Sequence, residues 1–250
     1  MPSAPMPGSA TSISGAAMLE VTGLNAFYGG AHILHDVALG VGRGEVMALL
    51  GRNGAGKSTT LKSIMGLVRP RSGRVVYEGR DLAGEKPYLI CRAGIGYVPE
   101  DRRIFKDLTV MENLEVGARA ARAGAPLWTI ERLVCLFPNL GERRHNAGGR
   151  LSGGEQQMLT IARTLMGNPA LILLDEPSEG IAPVIVEDLA RTISVLKAEG
   201  LTVLICEQNL HFARAVADRA AIIERGAIRY VGAMAELMAD AGLRAKYLAV

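Results

Sequence analysis

Cysteine is scarce in this chain of 250 residues. The three cysteines, Cys91, Cys135 and Cys206, lie far apart and form no Cys-x-x-Cys pair. This spacing suggests neither a disulfide framework nor a zinc site, and it fits a reducing cytosol. With 49% hydrophobic residues, the chain can instead bury a large core as one domain or as one domain that carries an insertion.

Long apolar runs are also missing. No run approaches the roughly 18 apolar residues that a membrane-spanning helix requires. The first lysine or arginine is Arg43, so the N-terminus has no positively charged segment of the kind that opens a signal peptide. We therefore expect a chain that is soluble by itself and stays in the cytosol.

Charge of one sign is not concentrated in any part of the sequence. The formal net charge is +3 at pH 7. Arginines occur as scattered pairs rather than as one stripe: Arg69 and Arg71, Arg102 and Arg103, and Arg143 and Arg144. Because nucleic acids bind to extended basic surfaces, a solvated protein surface is the better interpretation. We expect no nucleic-acid partner.

The most informative feature that is present is a phosphate-binding loop. Residues 51–59 read GRNGAGKST, a complete Gly-x4-Gly-Lys-[Ser/Thr] motif between a strand-like and a helix-like run. Its glycines let backbone N–H groups face a phosphate, and the helix N-terminus adds partial positive charge. We expect Lys57 to reach the β- and γ-phosphates and the Ser58 hydroxyl to ligate Mg²⁺; a glycine-rich turn with a chance lysine is the alternative. The candidate nucleotide-binding residues are Gly51, Asn53, Gly54, Ala55, Gly56, Lys57, Ser58 and Thr59.

A second candidate feature is a pair of adjacent acids, Asp175 and Glu176, which follow the apolar run 171–174. Open α/β sheets bind ligands at the carboxyl ends of their strands. We expect Asp175 to hold Mg²⁺, directly or through water, and Glu176 to polarise the attacking water as a general base. A purely structural role is the alternative, but two adjacent acids at a buried strand end are costly without a cation.

Hydrophobic patterning divides the chain into a tail and one domain. Residues 1–17 are rich in Pro, Gly, Ser and Ala, which predicts a disordered N-terminal tail. Residues 18–250 form the predicted domain, in which residues 101–166 carry helix-like patterns that indicate an inserted helical subdomain. The rest alternates strands and helices, so the predicted fold class is α/β, with an antiparallel β-subdomain and a mainly parallel core sheet.

Individual elements follow from short apolar runs and from apolar residues three or four apart. Strands are predicted over 19–22, 33–41, 45–50, 73–79, 95–99, 171–174 and 201–206 and in a terminal hairpin over 220–231. Helices are predicted over 59–65, 109–116, 129–137, 156–166, 184–198 and 234–248. Gly200 is the expected stop of the helix over 184–198.

Residues 151–154 read LSGG, and Ser152 stands 23 residues before Asp175. An LSGG segment alone is a weak signal. Together with the phosphate-binding loop and the Asp-Glu pair, in this order, it resembles the signature sequence of ATP-binding-cassette (ABC) ATPases, and the resemblance covers residues 18–250. It implies an ABC-type P-loop NTPase fold, ATP and Mg²⁺ as ligands, and ATP hydrolysis as the activity.

The resemblance also assigns residues outside the phosphate-binding loop. Tyr28 matches the aromatic residue that stacks on adenine, and an ordinary exposed tyrosine in a glycine-rich turn is the alternative. Ser152, Gly153 and Gly154 match the donors that close over the γ-phosphate of ATP held by a second subunit, so each site needs two chains. Residues 178–182 match the D-loop, which crosses the dimer interface.

Two positions depart from the general ABC pattern. Glu100 stands where most members have a glutamine after the Tyr-x-Pro strand, and Gln208 stands where most have a switch histidine. Glu100 can still approach Mg²⁺ and the attacking water, and the Gln208 amide can still donate to a γ-phosphate oxygen without titrating. We expect both to assist Glu176 in catalysis, with His211 as the less favoured alternative for the switch role.

These departures narrow the resemblance to a smaller group within the ABC ATPases. Residues 98–105, 178–183, 207–209 and 246–248 together resemble the shorter of the two ATPases of branched-chain amino-acid importers; urea, short-amide and aromatic-acid importers share the pattern. The implied partners are a second, non-identical ATPase subunit, two membrane permeases and, indirectly, a periplasmic solute-binding protein, although a homodimer is chemically permitted in isolation. The implied location is the cytoplasmic face of the inner membrane, where the permeases hold the chain peripherally.

Two other classes compete with this interpretation. Soluble ABC proteins that act on ribosomes or DNA generally carry two cassettes or a long coiled-coil insertion, and 250 residues leave room for neither. A P-loop kinase or GTPase conflicts with the LSGG segment, and the sequence lacks the guanine-reading Asn-Lys-x-Asp. An importer ATPase therefore remains the favoured hypothesis.

Overall fold

The computed structural model describes residues 17–248. The predicted tail lies outside the described residues, apart from Ala17, which opens the first strand. The strands are β1 Ala17–Tyr28, β2 Ala31–Gly42, β3 Val46–Leu50, β4 Ser72–Tyr77, β5 Arg80–Asp81, β6 Ile95–Val98, β7 Leu171–Asp175, β8 Thr202–Glu207, β9 Arg219–Glu224 and β10 Ala227–Ala233. The helices are α1 Lys57–Ile64, α2 Pro87–Ala93, α3 Val110–Gly117, α4 Ile130–Leu136, α5 Pro138–Glu142, α6 Gly153–Leu165, α7 Pro183–Ala198, α8 Leu210–Val216, α9 Met234–Ala239 and α10 Ala241–Tyr247.

The first layer is an antiparallel sheet with the strand order β2-β1-β4-β5. Its two long strands, β1 and β2, extend further than the sequence predicts. Pairing continues through register shifts, for example between Val21 and Leu24, where the alternation of buried and exposed residues breaks. A bulge of this kind inserts an extra residue without ending the strand, which is why the apolar alternation underestimates its length.

The second layer is a six-stranded sheet with the order β10-β9-β3-β8-β7-β6. All neighbours in this sheet pair in parallel except β10 and β9, so the predicted fold class is confirmed. Strand β3 is buried along its whole length. Its side chains alternate between two apolar clusters, with Val46, Ala48 and Leu50 on one face and Met47 and Leu49 on the other.

Helices α3 to α6 lie between β6 and β7 in the chain. Thr109 caps α3, since its side chain accepts the Glu112 N–H while the Glu112 carboxylate accepts the Thr109 N–H. Such reciprocal bonds satisfy two of the N–H groups that a helix start leaves unpaired. The helix predicted over 156–166 begins earlier, at Gly153, because Ser152 makes the same reciprocal bonds with Glu155. Both helix starts thus follow from a Ser or Thr placed three residues before a Glu.

The C-terminal helix prediction is wrong in one respect. A single helix was expected over 234–248, but the chain forms α9 and α10, separated at Asp240. The Asp240 side chain accepts the Leu243 N–H and so starts a new helix instead of continuing the old one. Within residues 17–248, no helix combines the length and the apolarity needed to cross a bilayer.

Candidate nucleotide-binding site

The phosphate-binding loop connects β3 to α1 at the carboxyl end of the core sheet. A Cβ on Gly51 would lie 2.4 Å from the Ile223 carbonyl oxygen, and Gly56 has φ +113°, so neither position admits an ordinary side chain. The turn between β9 and β10 fixes the loop from the side, since the Gly226 N–H donates to the Ala55 carbonyl at 2.8 Å. The loop therefore lies against the main chain of the β9–β10 hairpin at both Gly51 and Ala55.

Four predicted residues meet in one cluster, which we call the P-loop cluster: Lys57, Ser58, Asp175 and Glu176. The Ser58 hydroxyl donates to Asp175 Oδ1 at 2.8 Å across 117 residues of sequence. Lys57 Nζ lies 3.0 Å from Glu176 Oε1 and also donates to the Gly51 and Arg52 carbonyl oxygens, at 2.8 and 3.1 Å. Lys57, Asp175 and Glu176 are buried.

Glu176 has an unusual backbone. Its φ is +47°, in the left-handed region that residues with a side chain seldom occupy. Its N–H donates to the Cys206 carbonyl at 2.9 Å, which anchors the residue to β8 immediately after β7 ends. Strained residues of this kind cluster at functional sites. Glu176 thus combines a left-handed backbone with a carboxylate that lies against Lys57.

Burial raises the pKa of Asp175, while hydrogen bonds from Ser58 and Tyr97 act in the opposite direction. Tyr97, on β6, donates to Asp175 Oδ2 at 3.0 Å, so both carboxylate oxygens of Asp175 have a donor. The sequence analysis gave Tyr97 no role. Its contact depends on the pairing of β6 with β7, which no local pattern reveals.

Glu207 is a second residue that the sequence analysis missed. It ends β8 and is 2% exposed. Its Oε1 accepts the Ser178 N–H at 3.0 Å, and its Oε2 accepts the Gln208 and Asn209 N–H groups at 3.2 Å each. The carboxylate thus connects the loop after Asp175 and Glu176 to the loop that carries Gln208.

The segment Ser152–Gly154, which we call the signature segment, lies apart from the P-loop cluster at the start of α6. The Ser152 Oγ accepts the Glu155 N–H, which leaves its hydroxyl hydrogen free to donate elsewhere. Ser152 is exposed and Gly153 is half-buried. A Cβ on Gly153 would lie 3.0 Å from Nη1 of Arg102, so the Arg102 guanidinium covers one side of this segment.

The remaining predicted residues lie at the surface. Tyr28 is 49% exposed at the end of β1, and Glu100, Gln208 and His211 are exposed. None of these side chains makes a hydrogen bond to the P-loop cluster among the described residues. Glu179, near Glu100, has its pKa raised to about 6 by a hydrogen bond to the Glu176 carboxyl group.

The donor chemistry of the P-loop cluster fits Mg²⁺. This ion prefers oxygen ligands, keeps several waters, and is usually bound by one or two protein groups together with substrate phosphates. The Ser58 hydroxyl and the Asp175 carboxylate, already in contact, form such a pair. Among the described residues there is no group of three or more His, Cys, Asp or Glu side chains that could hold a metal. The donor pair therefore suits an ion that is shared with a nucleotide.

Comparison with known sequences agrees with this geometry. The ABC transporter family model matches residues 34–179. The chain is 42% identical over 231 residues to the high-affinity branched-chain amino acid transport ATP-binding protein BraG of Pseudomonas aeruginosa, covering 92% of this chain and 99% of BraG. It is 37% identical over 233 residues to the lipopolysaccharide export system ATP-binding protein LptB of Haemophilus influenzae, covering 92% of this chain and 97% of LptB.

Comparison with solved structures gives the same family. The ADP conformation of MJ1267, an ATP-binding cassette of an ABC transporter, superposes with a TM-score of 0.78 at 27% identity, covering 92% of this chain and 97% of MJ1267. Family model, sequence relatives and fold agree over most of the chain. The chain therefore belongs to the ABC transporter family, as one of its nucleotide-binding, ATP-hydrolysing subunits.

Proposed function

We propose that this chain energises the uptake of branched-chain amino acids through separate membrane permeases. The observation that carries the proposal is the P-loop cluster, in which Lys57 meets Glu176 and Ser58 meets Asp175 at the carboxyl ends of parallel strands. The solute class is supported by the identity to BraG over nearly the whole of both chains. Urea, short amides and aromatic acids are the neighbouring solute classes.

Each residue of the P-loop cluster has a distinct role in this proposal. Lys57 exchanges its contacts with the Gly51 and Arg52 carbonyls for the β- and γ-phosphate oxygens of ATP. Ser58 and Asp175 hold Mg²⁺, which when bound neutralises charge on the phosphates. Glu176, released from Lys57, accepts a proton from the attacking water.

Residues around the P-loop cluster complete the nucleotide site. Tyr28 stacks on the adenine, and its exposed ring is available for that contact. Gln208 donates its amide to a γ-phosphate oxygen, and Glu100 approaches the Mg²⁺ and the attacking water. These roles are supported by the exposure of all three side chains on loops or strand ends of the two sheets.

The site is completed by a second ATPase subunit. Ser152, Gly153 and Gly154 contact the γ-phosphate of ATP bound to the partner, and residues 178–182 cross the interface. The physiological partner is a non-identical cassette, while a homodimer can form in isolation because both halves of the site are present in one chain. The exposed Ser152 hydroxyl, free to donate, supports this role.

The proposed contact with the permeases is made by the helical subdomain, residues 101–166, and by the loop 100–105 at its start. The loop is anchored on α6, since the Thr160 hydroxyl donates to the Arg102 carbonyl and the Arg163 guanidinium donates to the Arg103 carbonyl. Phe105 is 47% exposed at its end. A surface that is rigidly attached to the signature segment and partly apolar suits the transmission of motion to a permease on the inner face of the membrane.

The test is reconstitution of this chain with the permeases and the second ATPase encoded beside it. In proteoliposomes, a solute-binding protein loaded with leucine is expected to raise ATP hydrolysis several-fold and to drive leucine uptake. Absence of a response to leucine, together with a response to urea or phenylalanine, would reassign the solute class. Absence of any response from a complex that still hydrolyses ATP would refute import.

Export is the second candidate, because LptB of H. influenzae is 37% identical over almost the same length. The two candidates differ in direction and in partner. An exporter would be stimulated by a lipid-linked substrate in the membrane without a solute-binding protein. Stimulation of the same proteoliposomes by lipopolysaccharide, without any response to amino acids, would favour export.

A further inference from the structure

The buried acid Glu207 joins two loops of the site with one carboxylate. Its Oε1 accepts the N–H of Ser178, in the loop that follows Glu176. Its Oε2 accepts the N–H groups of Gln208 and Asn209. Each oxygen therefore serves a different loop, and one side chain bridges the two loops.

This arrangement is costly for the fold. Burial raises the pKa of Glu207, and no ion pair within residues 17–248 includes it. A buried carboxylate without a cation is expensive, even when backbone N–H groups satisfy it. Glu45 offers a contrast, since it is 12% exposed and pairs with Arg219 at 3.2 Å while accepting the Gly42 N–H. Stability alone does not explain an acid at position 207.

We propose that Glu207 is a positioning residue for ATP hydrolysis. It fixes the loop of Glu176 relative to the loop of Gln208, so that the proton acceptor and the amide donor face the same γ-phosphate. The inference rests on the roles proposed above for Glu176 and Gln208. The loop 178–182 and the loop of Gln208 are both hydrogen-bonded to the Glu207 carboxylate. A movement of the first loop at the dimer interface is therefore transmitted to Gln208 through the Ser178 contact.

The chemistry of glutamine makes the proposal testable. A carboxylate accepts hydrogen bonds at both oxygens, whereas an amide accepts at one oxygen and donates at its nitrogen. In Glu207→Gln, the amide nitrogen replaces one carboxylate oxygen and faces the backbone N–H of one of the two loops. Two donors cannot form a hydrogen bond, so that loop loses its contact with residue 207. At the same time the buried charge disappears, which favours the folded state. Activity and stability are therefore expected to change in opposite directions.

The experiment uses the full chain in complex with its second ATPase. For Glu207→Gln we expect kcat to fall about 10- to 100-fold, with the Kd for ATP changed less than threefold and Tm unchanged or raised. Glu45→Gln is the matched control, with a lowered Tm and an unchanged kcat. A kcat within twofold of wild type would overturn the proposal, and so would a loss of kcat that comes with an equal loss of ATP binding and Tm.

Two further variants keep the proposal falsifiable. Should Glu207→Gln not fold, Glu207→Asp keeps the charge and shortens the reach by one methylene, and a kcat within twofold of wild type in that variant refutes the role. Since part of the effect of Glu207 is exerted through Gln208, adding Glu207→Gln to Gln208→Ala is expected to lower kcat by a smaller factor than Glu207→Gln does in the wild-type protein. Full additivity would refute positioning. If Gln208→Ala and Glu176→Gln themselves keep a wild-type kcat, the roles assigned to Gln208 and Glu176 under the proposed function fail instead.

Discussion

The P-loop cluster and the signature segment are built in opposite ways. Lys57, Ser58, Asp175 and Glu176 come from two distant parts of the chain, are mostly buried, and bond to each other. The signature segment Ser152–Gly154 is one short stretch at a helix start, and its bonds are local. Among the described residues, the hydrogen bonds of Ser152 reach Glu155 and Gln156, within the first turn of α6.

The difference shows what each region requires in order to function. The P-loop cluster is assembled by the fold of this chain, so we expect it to bind a nucleotide without a partner subunit. The signature segment has an exposed serine whose hydroxyl hydrogen is free to donate, and its side chain makes no hydrogen bond to the P-loop cluster among the described residues. Substitution of Lys57 in the first region should therefore affect ATP binding, and substitutions in the second region should affect hydrolysis alone.

The largest effect is expected for Lys57→Ala. Charge-assisted hydrogen bonds contribute about 1.5–3 kcal/mol each, so the loss of two bonds to phosphate should weaken ATP binding by about 100-fold or more and abolish turnover. Isothermal titration with ATP and a phosphate-release assay check this. Lys86→Ala, an exposed lysine at the start of α2, is the control. Hydrolysis near the wild-type rate would contradict the assignment of the phosphate-binding loop.

Glu176→Gln is expected to separate binding from chemistry within the P-loop cluster. The amide keeps the shape of the side chain but cannot accept the proton, so turnover should fall by about 10²–10⁴-fold while Mg-ATP still binds. The expected consequence is a long-lived closed dimer, which size-exclusion chromatography with ATP detects. If turnover stays within about threefold of wild type, Glu176 is not the base and Glu100 is the next candidate.

Gly153→Asp is the corresponding change in the signature segment. At an effective dielectric constant of about 20, two like charges 4 Å apart repel by about 4 kcal/mol, so a carboxylate beside the partner's γ-phosphate should lower turnover by about 1000-fold. ATP binding by the chain's own P-loop cluster should stay intact. ATP binding and turnover are to be measured on the same preparation of Gly153→Asp. Joint loss of both would show that the segment is only a helix start.

The smallest effects are expected at Arg102 and Arg103, which adjoin the signature segment. Arg103 is exposed and bonds to Asp101, whereas the Arg102 guanidinium lies against Gly153 and Gly180. Charge reversal at Arg103 should reduce coupled transport several-fold with little change in basal ATP hydrolysis. Charge reversal at Arg102 should also reduce basal hydrolysis, by about tenfold or less. If the two charge reversals had equal effects on coupled transport and on basal ATP hydrolysis, the proposed difference between Arg102 and Arg103 would be wrong.

Local sequence motifs predict those parts of the site whose residues are neighbours in the chain. The Gly-x4-Gly-Lys-Ser motif needs a strand before it and a helix after it, and both are present as β3 and α1. Glu207 and Tyr97 escaped prediction because their partners are set by the strand order β8-β7-β6. The helix break at Asp240 escaped for a different reason, since the apolar spacing continues through the residue that caps the second helix.

The strand order also determines when this protein becomes able to bind ATP during its synthesis. Within residues 17–248, β3 pairs only with β8 and β9, which lie between residues 202 and 224. While a ribosome extends the chain at about 5–20 residues per second, the strand that carries the phosphate-binding loop has no neighbour until most of the polypeptide has left the exit tunnel. Nascent chains arrested before residue 200 should accordingly be digested readily by protease even with ATP present. The capacity to bind ATP is therefore expected to appear only after β8 and β9 have joined the sheet.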